Sequence, residues 1–333
     1  MSASAFRIHR AQSGAARTRA GATAPAGAPE SLPSLTTTVP REFVHRASVA
    51  EVLLTDWARR EDLRFALAAQ WPRGHGFFTA VDGCHDPLIA AETIRQSGIL
   101  LAHAEFGVPL DHHLLVADLD VEVRPPHIRV GLTPASLDVD VTCTEVKHRR
   151  GTLSSCRIHV RIYREGHLAA TGGGFLTCIA PAVYERLRAG RLPDREVPRP
   201  LALTAPEPPQ SVGRMSPMDV VLSPTGHTGR WQLRVDTRHP TLFDHPVDHV
   251  PGMVLLEAAR QAAIAALGRT GLPLALTSQF LRYVELDAPC TIEAHPLPPT
   301  PSAPEKEESV RITAHQDGHP VFRSTVTLAP PTP

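Results

Sequence analysis

Residues 250–267 read VPGMVLLEAARQAAIAAL, a run of good helix formers that is apolar on almost every side. Residues 86–104, DPLIAAETIRQSGILLAHA, have the same character, and the two runs align on their glutamates without a gap. The polar residues that superpose are Glu92, Arg95 and Gln96 in the first run and Glu257, Arg260 and Gln261 in the second. Because a helix that is apolar all round is normally buried, the sequence predicts two copies of one unit, each built on a buried helix.

Both predicted helices begin with the same kind of signal. Asp86 stands before Pro87 at the start of the first helix, and Asp248 or His249 stands shortly before Pro251 at the start of the second. A capping side chain can accept from the first free backbone N–H groups, and proline is tolerated in the first turn. We therefore expect a side-chain cap ahead of a proline in each half.

Alternating runs rich in Val, Ile and Thr follow each helix. They occupy residues 137–150 and 153–178 in the first half, and residues 291–296 and 310–328 in the second. Gly151, the pair Glu165-Gly166 and the pair Asp317-Gly318 supply the turn signals. The pattern predicts one long buried helix wrapped by an antiparallel sheet as the repeated unit, and hence an α+β protein.

The 33 prolines among 333 residues divide the chain into segments. Residues 188–217 are so rich in proline that they cannot hold a regular ladder or helix, so we expect a linker there. Residues 1–40 have basic residues but no continuous apolar core, which predicts a disordered leader; a mitochondrial transit peptide has a similar composition. The two repeats then span residues 41–187 and 218–330.

Composition excludes several classes of function. The 34 basic and 34 acidic side chains balance, so no global charge attracts nucleic acid or an anionic membrane. No stretch reaches the roughly 20 apolar residues that a membrane span requires. Five widely spaced cysteines without a C-x-x-C pair fit reduced thiols, which indicates a cytoplasmic protein.

The buried glutamates mark the expected site of chemistry. Burying Glu257 costs free energy unless a partner compensates, and Arg260 lies three positions along the same helix face. One interpretation is a structural ion pair that contributes little net stability. The other is catalytic: free N–H groups near Gly252 stabilise an oxyanion, and a carboxylate further along the helix acts as general base. Gly252 would also let an acyl chain approach the backbone closely.

Specific motifs resemble a known family. The segment FDHPVDHVPGMVLLEAARQ (243–261) resembles the signature of hot-dog-fold dehydratases that act on acyl carrier protein thioesters. The whole of residues 40–330 is closer to the A-factor biosynthesis (AfsA-type) γ-butyrolactone synthases of actinomycetes. The first-repeat motifs are VPREFVHRASVAEVLLTDWAR (39–59), FALAAQWPRGHGFF (65–78) and HDPLIAAETIRQSGILLAHAEFGVP (85–109). The second-repeat motif is RVDTRHPTLFDHPVDHVPGMVLLEAARQA (234–262).

The resemblance implies two fused hot-dog domains that form an intramolecular pseudo-dimer. It also implies an acyltransferase that moves a β-ketoacyl group from acyl carrier protein to the hydroxyl of dihydroxyacetone phosphate. That transfer commits the acyl group to a γ-butyrolactone signal controlling secondary metabolism. The resemblance implies neither a cofactor nor a metal.

The same resemblance assigns roles to individual residues. The implied catalytic residues are Glu92, Glu257 and Arg260, and the expected substrate-binding residues are Arg95, Gly252, Gln96 and Gln261. We expect the two glutamates to meet from opposite units, with one of them as the base. Arg260, with Arg95 as a second candidate, would bind the phosphate. The sequence does not decide which glutamate is the base.

Other activities remain open. Counting back from Glu257 places Phe243 where the dehydratases carry their histidine, and His245 fits only if the loop is shortened, so dehydration is disfavoured. A hot-dog thioesterase would use the same helix, and a relative that binds acyl ligands without turnover would retain it too. His245 and His249 could hold a metal only with a third ligand, which the sequence does not offer. The basic run at 147–150 is a weak candidate for docking a carrier protein.

Overall fold

The protein was analysed as a computed structural model that describes residues 37–191, 199–298 and 307–330. The disordered leader predicted for residues 1–40 therefore falls almost wholly outside the described residues. Within them, no helix combines the length and the apolar character needed to cross a membrane.

The described chain forms three α-helices, namely α1 (Pro87–Ala104), α2 (Pro181–Arg188) and α3 (Gly252–Leu267). As predicted, α1 and α3 are buried along most of their length. Asp86 caps α1, since its Oδ1 accepts a hydrogen bond from the backbone N–H two residues further on at 2.9 Å. The cap predicted for α3 is wrong: Pro251 holds the N-cap position, and no side-chain cap bond forms there. Asp248 lies too far ahead of the first turn and bonds to Tyr184 instead.

Strands from both halves build one sheet. They are β1 (Leu54–Glu61), β2 (Arg64–Trp71), β3 (His113–Val123), β4 (Ala135–Arg149), β5 (Thr152–Arg164), β6 (His167–Ile179), β7 (Leu222–Pro224), β8 (Arg230–Leu233), β9 (Pro273–Phe280), β10 (Cys290–Pro296), β11 (Glu308–Gln316) and β12 (His319–Leu328). The strand order is β1-β2-β4-β5-β6-β3-β9-β12-β11-β10-β8-β7, and every pairing is antiparallel. From one edge inward the order is β1-β2-β4-β5-β6-β3, and from the other edge it is β7-β8-β10-β11-β12-β9, so each strand of the first half has a counterpart six strands later. The two halves therefore form the predicted pseudo-dimer.

The central pairing of β3 with β9 joins the halves. Its register runs from Asp118 opposite Gln279 to Glu122 opposite Ala275. On the sheet, α1 packs against β3 and β6, whereas α3 packs against β10, β11 and β12. Alternate residues of β4 are buried while those between them face solvent, as the sequence alternation predicts. Each helix thus has its own half of the sheet, and the sheet runs unbroken between them.

The segment predicted as a linker, residues 188–217, is not uniform. Residues 192–198 lie outside the described chain, but residues Pro209–Val212 form a short 3-10 helix. That helix is the counterpart of another at Arg41–Val44, just before the first strand of the other half. The last part of the predicted linker therefore has the same structure as the beginning of the first repeat.

Candidate functional site

One group of polar side chains, which we call the Glu92 cluster, consists of Arg46, Glu92, Arg95 and Gln96. Helix α1 presents the last three on one face, because spacings of three and four residues align side chains along a helix. Glu92 Oε1 accepts from Arg46 Nε at 3.0 Å, and from Arg95 Nη2 and Gln96 Nε2 at 2.7 Å each. Glu92 Oε2 accepts from Arg95 Nε at 2.8 Å. Both carboxylate oxygens are therefore engaged.

A matching group in the second half, the Glu257 cluster, consists of Arg214, Glu257, Arg260 and Gln261. Arg214 Nε and Nη2 each donate to one oxygen of Glu257 at 2.8 Å. Arg260 Nη2 donates to both oxygens, at 2.6 and 2.7 Å, and Gln261 donates to Oε1. The pairs predicted between Glu92 and Arg95 and between Glu257 and Arg260 are therefore confirmed, but each glutamate also has a second arginine.

These second arginines connect the halves. Arg46 Nη1 donates to the carbonyl of Thr241, which belongs to the second half, at 3.0 Å. Arg214 Nη1 donates to the carbonyl of Phe77, which belongs to the first half, at 2.6 Å. Each cluster is thus completed by backbone from the opposite repeat.

The two glutamines hold the chain ahead of the first strand of each half. Gln96 Oε1 accepts from Leu53 N–H at 2.9 Å, and its Nε2 donates to the carbonyl of Glu51 at 2.7 Å. Gln261 makes the equivalent bonds before β7 at 3.0 and 2.7 Å. Their polar atoms already have partners within the chain, so the predicted contact of these glutamines with substrate stays a prediction.

Both glutamates are held ionised. Burial alone would raise the pKa of Glu92, but Arg46 and Arg95 outweigh burial and lower it to about 2. Arg214 and Arg260 likewise outweigh burial and lower the pKa of Glu257. A carboxylate with a low pKa and engaged oxygens is a weak base. Each oxygen of Glu257 and Oε1 of Glu92 already accept two or more hydrogen bonds, and the arginines favour the ionised form, so the predicted role of base stays a prediction.

The clusters differ in the surroundings of the helical arginine, which is Arg95 in the first and Arg260 in the second. Asp86 Oδ2 accepts from Arg260 Nη1 at 3.2 Å, whereas the alignment of the helices places Pro251 where Asp86 stands. Arg95 therefore lacks an equivalent carboxylate, and its Nη1 has no hydrogen bond to any described residue. The Arg95 side chain is 18% exposed, against 1% for Arg260. The Glu92 cluster offers a free donor to solvent, and the Glu257 cluster is enclosed.

Two histidines, His45 and His245, lie near Arg95. His45 stands where the second half has Gly213, and both residues adopt the left-handed conformation. Burial, then His103 and Arg95, lower the pKa of His45 to about 3, so this imidazole is uncharged at neutral pH. His245 reaches the same region from the second half; burial lowers its pKa, and Arg95 adds to the effect. We call the region bounded by Arg95, His45 and His245 the Arg95 cleft.

The structure gives a packing reason for glycine at position 252, the first residue of α3. A Cβ on Gly252 would lie 3.1 Å from the ring of Phe280, so this glycine makes room for an aromatic side chain of β9. With no side-chain cap on α3, the N–H groups of Gly252 and Met253 are free of the helix's own carbonyls. The oxyanion role of these groups, and the approach of an acyl chain to Gly252, stay predictions.

Sequence reasoning missed the second arginine of each cluster. The signal was a short repeat, V-x-R-x-S-x-x-[E/D]-V, at residues 44–52 and 212–220. The proline-rich composition assigns most of the second copy to the linker and so hides the match. The sequence predicts Asp86 only as a cap, because its second contact, to Arg260, depends on the packing of α1 beside α3.

Comparisons with known proteins cover both halves of the chain. The chain matches the AfsA family, described as the A-factor biosynthesis hotdog domain, over residues 27–180 and 197–330. A 2-oxo-3-(phosphooxy)propyl 3-oxoalkanoate synthase from Streptomyces virginiae is 53% identical over 292 residues, which cover 86% of this chain and 96% of that protein. A synthase of the same name from Streptomyces griseus is 44% identical over 291 residues, covering 87% and 94%.

A solved structure shares the fold. The crystal structure of a protein assigned as an oleoyl thioesterase from Lactobacillus plantarum superposes with a TM-score of 0.50 at 13% identity. The match covers 81% of this chain and 96% of that one. At this identity the likeness concerns the architecture alone, which is that of two hot-dog units in one chain.

Proposed function

This chain belongs to the A-factor biosynthesis hotdog domain family, and from that premise we propose that it transfers a 3-oxoacyl group to the hydroxyl of dihydroxyacetone phosphate. The product is a 2-oxo-3-(phosphooxy)propyl 3-oxoalkanoate, the compound for which the Streptomyces relatives are named. Formation of this ester commits the acyl chain to a γ-butyrolactone signal.

The observation that carries the proposal is the free Nη1 of Arg95 in the Arg95 cleft. Glu92 fixes the guanidinium through two bonds, at 2.8 and 2.7 Å, which leaves the remaining face pointing away from the carboxylate. A guanidinium held in this way can bind a phosphate oxygen without first losing side-chain entropy.

In this proposal Glu92 positions Arg95 rather than touching the substrate. Its Oε1 accepts bonds from Arg46, Arg95 and Gln96, its Oε2 accepts from Arg95, and the arginines make the carboxylate a weak base. In the second half, Glu257 likewise fixes Arg260 through hydrogen bonds to both of its oxygens. The catalytic roles predicted for Glu257 and Arg260 would require the enclosed cluster to open, and they remain predictions.

The acyl donor and its location complete the proposal. We take the donor to be a 3-oxoacyl thioester of acyl carrier protein and the reaction to be cytoplasmic. The developing oxyanion of the thioester carbonyl would be stabilised by the free N–H groups of Gly252 and Met253 at the positive end of α3. An ester is then formed and the carrier thiol leaves.

The test supplies the full-length protein with 3-oxoacyl carrier protein, with and without dihydroxyacetone phosphate, and follows products by mass spectrometry. We expect a phosphate-bearing ester that requires the acceptor. Release of free acid or enoyl product regardless of acceptor would instead indicate a thioesterase or dehydratase. Saturable acyl binding with no turnover would indicate a non-catalytic relative.

An arginine variant locates the phosphate site. Arg95→Gln removes a charge-assisted hydrogen bond of about 1.5–3 kcal/mol, so KM for dihydroxyacetone phosphate should rise about 10- to 100-fold. Arg311→Gln, on the exposed face of β11, is the matched control and should leave KM unchanged. An unchanged KM in Arg95→Gln would exclude the Arg95 cleft as the phosphate site.

A further inference from the structure

A third polar cluster lies just ahead of α3, where the loop from the second half meets α2 from the first. His249 Nδ1 is 2.7 Å from Asp248 Oδ1. Tyr184 OH donates to both oxygens of the same carboxylate, at 2.7 and 2.9 Å, and Arg188 Nε donates to Oδ2 at 3.2 Å. Burial would raise the pKa of Asp248, but the bonds from His249 and Tyr184 hold it well below its usual range.

The ionised Asp248 fixes the protonation of its neighbour. A carboxylate can only accept hydrogen bonds, so Nδ1 of His249 carries the proton in the neutral ring and Nε2 holds the lone pair. Nε2 makes no hydrogen bond to a described residue, and the His249 side chain is 26% exposed. The imidazole rests edge-on against Tyr283, with ring centroids 4.8 Å apart. The result is an oriented imidazole with one free basic nitrogen.

The position of this dyad relates it to the proposed site. His249 stands three residues before Gly252, whose N–H opens α3. The ring of Tyr184 stacks on His113 of β3 at 3.6 Å, and His113 lies within electrostatic range of both His249 and His45. His113 is therefore near both the dyad and the Arg95 cleft, and an acceptor bound between them would have its phosphate at Arg95 and its hydroxyl toward His249.

Other candidates for the base are less suitable. Glu92 and Glu257 have low pKa values and engaged oxygens. His45 donates from Nε2 to His103 at 2.8 Å and leaves Nδ1 unprotonated, but burial, then His103 and Arg95, lower the pKa of His45 to about 3, so this ring is a weak base. His245 is only loosely held, with Nδ1 3.4 Å from Asp244. Among these groups His249 alone combines a tautomer fixed by a carboxylate at 2.7 Å with a free nitrogen.

We propose that His249, oriented by Asp248, is the general base of the acyl transfer, a role that rests on the proposed function. Nε2 takes the proton of the acceptor hydroxyl as its oxygen bonds to the thioester carbonyl carbon. The tetrahedral intermediate then expels the carrier thiolate, breaking the carbon–sulfur bond. Protonated His249 returns the proton to that sulfur, so the base is regenerated and the ester is released.

The test compares His249→Gln with His227→Gln, an exposed histidine outside both clusters. For His249→Gln we expect kcat to fall about 10²- to 10⁴-fold, while dihydroxyacetone phosphate titrated without donor binds within about twofold of the native protein. The acidic limb of the native kcat profile, in which activity rises as the base loses its proton, should disappear. The charged and titratable groups around His249 are Asp248, Tyr184, His113 and Tyr283, with Arg188 bound to Asp248 and Glu285 bound to Arg188.

A second variant tests the positioning role of Asp248. In Asp248→Asn the amide can donate to Nδ1, which moves the proton to Nε2 and removes the lone pair. We expect kcat to fall at least tenfold with acceptor binding retained. Tyr184→Phe removes one bond to the carboxylate and should have a smaller effect in the same direction.

The outcomes are distinguishable. A His249→Gln protein with native kcat and an intact acidic limb would contradict the role of His249 as general base. A variant that loses acceptor binding while keeping kcat would contradict it too. In both cases ester formation by the native protein leaves the proposed function standing. A native protein that forms no ester from any 3-oxoacyl donor overturns the proposed function and the base with it.

Discussion

The Glu92 and Glu257 clusters have the same arrangement of glutamate, arginines and glutamine, and they differ in whether a second carboxylate binds the helical arginine. Each places a glutamate between two arginines and a glutamine, and each borrows a backbone carbonyl from the opposite half. In the Glu257 cluster Asp86 closes the arrangement on Arg260. In the Glu92 cluster Pro251 takes that position, and Arg95 keeps a free donor. The contacts that both clusters make therefore stabilise the fold. The free donor of Arg95, which Arg260 lacks, is the feature that bears on substrate binding.

The largest effect that this comparison predicts is on stability. Glu257→Gln would leave Arg214 and Arg260 buried with one carboxylate fewer, which should lower the free energy of unfolding by about 3–5 kcal/mol. Urea unfolding followed by circular dichroism measures it. The control Glu293→Gln alters an exposed pair with Arg230 and should change stability by less than about 0.5 kcal/mol. A Glu257→Gln protein of native stability with no transfer activity would show that this cluster acts on substrate.

A somewhat smaller effect concerns pH. The pKa of Glu92 is 4.5 in the unfolded reference and about 2 in the fold, so its stabilisation is present above pH 4.5 and lost as pH falls toward 2. Linkage makes the whole contribution about 3 kcal/mol, of which about 2 kcal/mol is lost by pH 3. Comparing native and Glu92→Gln unfolding at pH 7, 4 and 3 should show the difference in stability shrinking. A difference that stays constant with pH would mean that Glu92 is not ionised in the fold.

The smallest effect comes from converting one cluster into the other. Pro251→Asp gives Arg95 the carboxylate that Asp86 gives Arg260, and aspartate is a favourable N-cap, so the helix should be retained. We expect the Kd for inorganic phosphate to rise about fivefold to tenfold, which corresponds to about 1 kcal/mol. Isothermal titration with Pro251→Asn as the uncharged control measures it. Equal affinities in the two variants would separate phosphate binding from Arg95.

Much of the fold could be predicted because its signals are local. Helix α1 has an apolar run, an Asp-Pro start and an i, i+3 ion pair, and each follows from neighbouring residues. The strands after it alternate along their own sequence. The pairing of β3 with β9 has no such local signal, because the two strands come from different halves and are far apart in the sequence.

The site was less predictable for the same reason. Arg46 and Arg214 each lie two residues after a short 3-10 helix, in segments without periodicity, and their partners are 46 and 43 residues away in the chain. The contact of Asp86 with Arg260 spans 174 residues. From its neighbours in the sequence His249 suggests only a helix cap or a metal ligand, since its relation to Tyr184 depends on where α2 docks.

The reciprocal arginine contacts have a consequence for how the chain is made. When the first half leaves the ribosome, Arg46 has no Thr241 to receive its hydrogen bond, and the outer edge of β3 has no β9 beside it. The early half must therefore persist with an uncovered strand edge and one arginine donor without its acceptor while the remaining residues are translated. Protection of that nascent half, rather than the final stability of the finished protein, should limit its yield when translation outpaces chaperone supply.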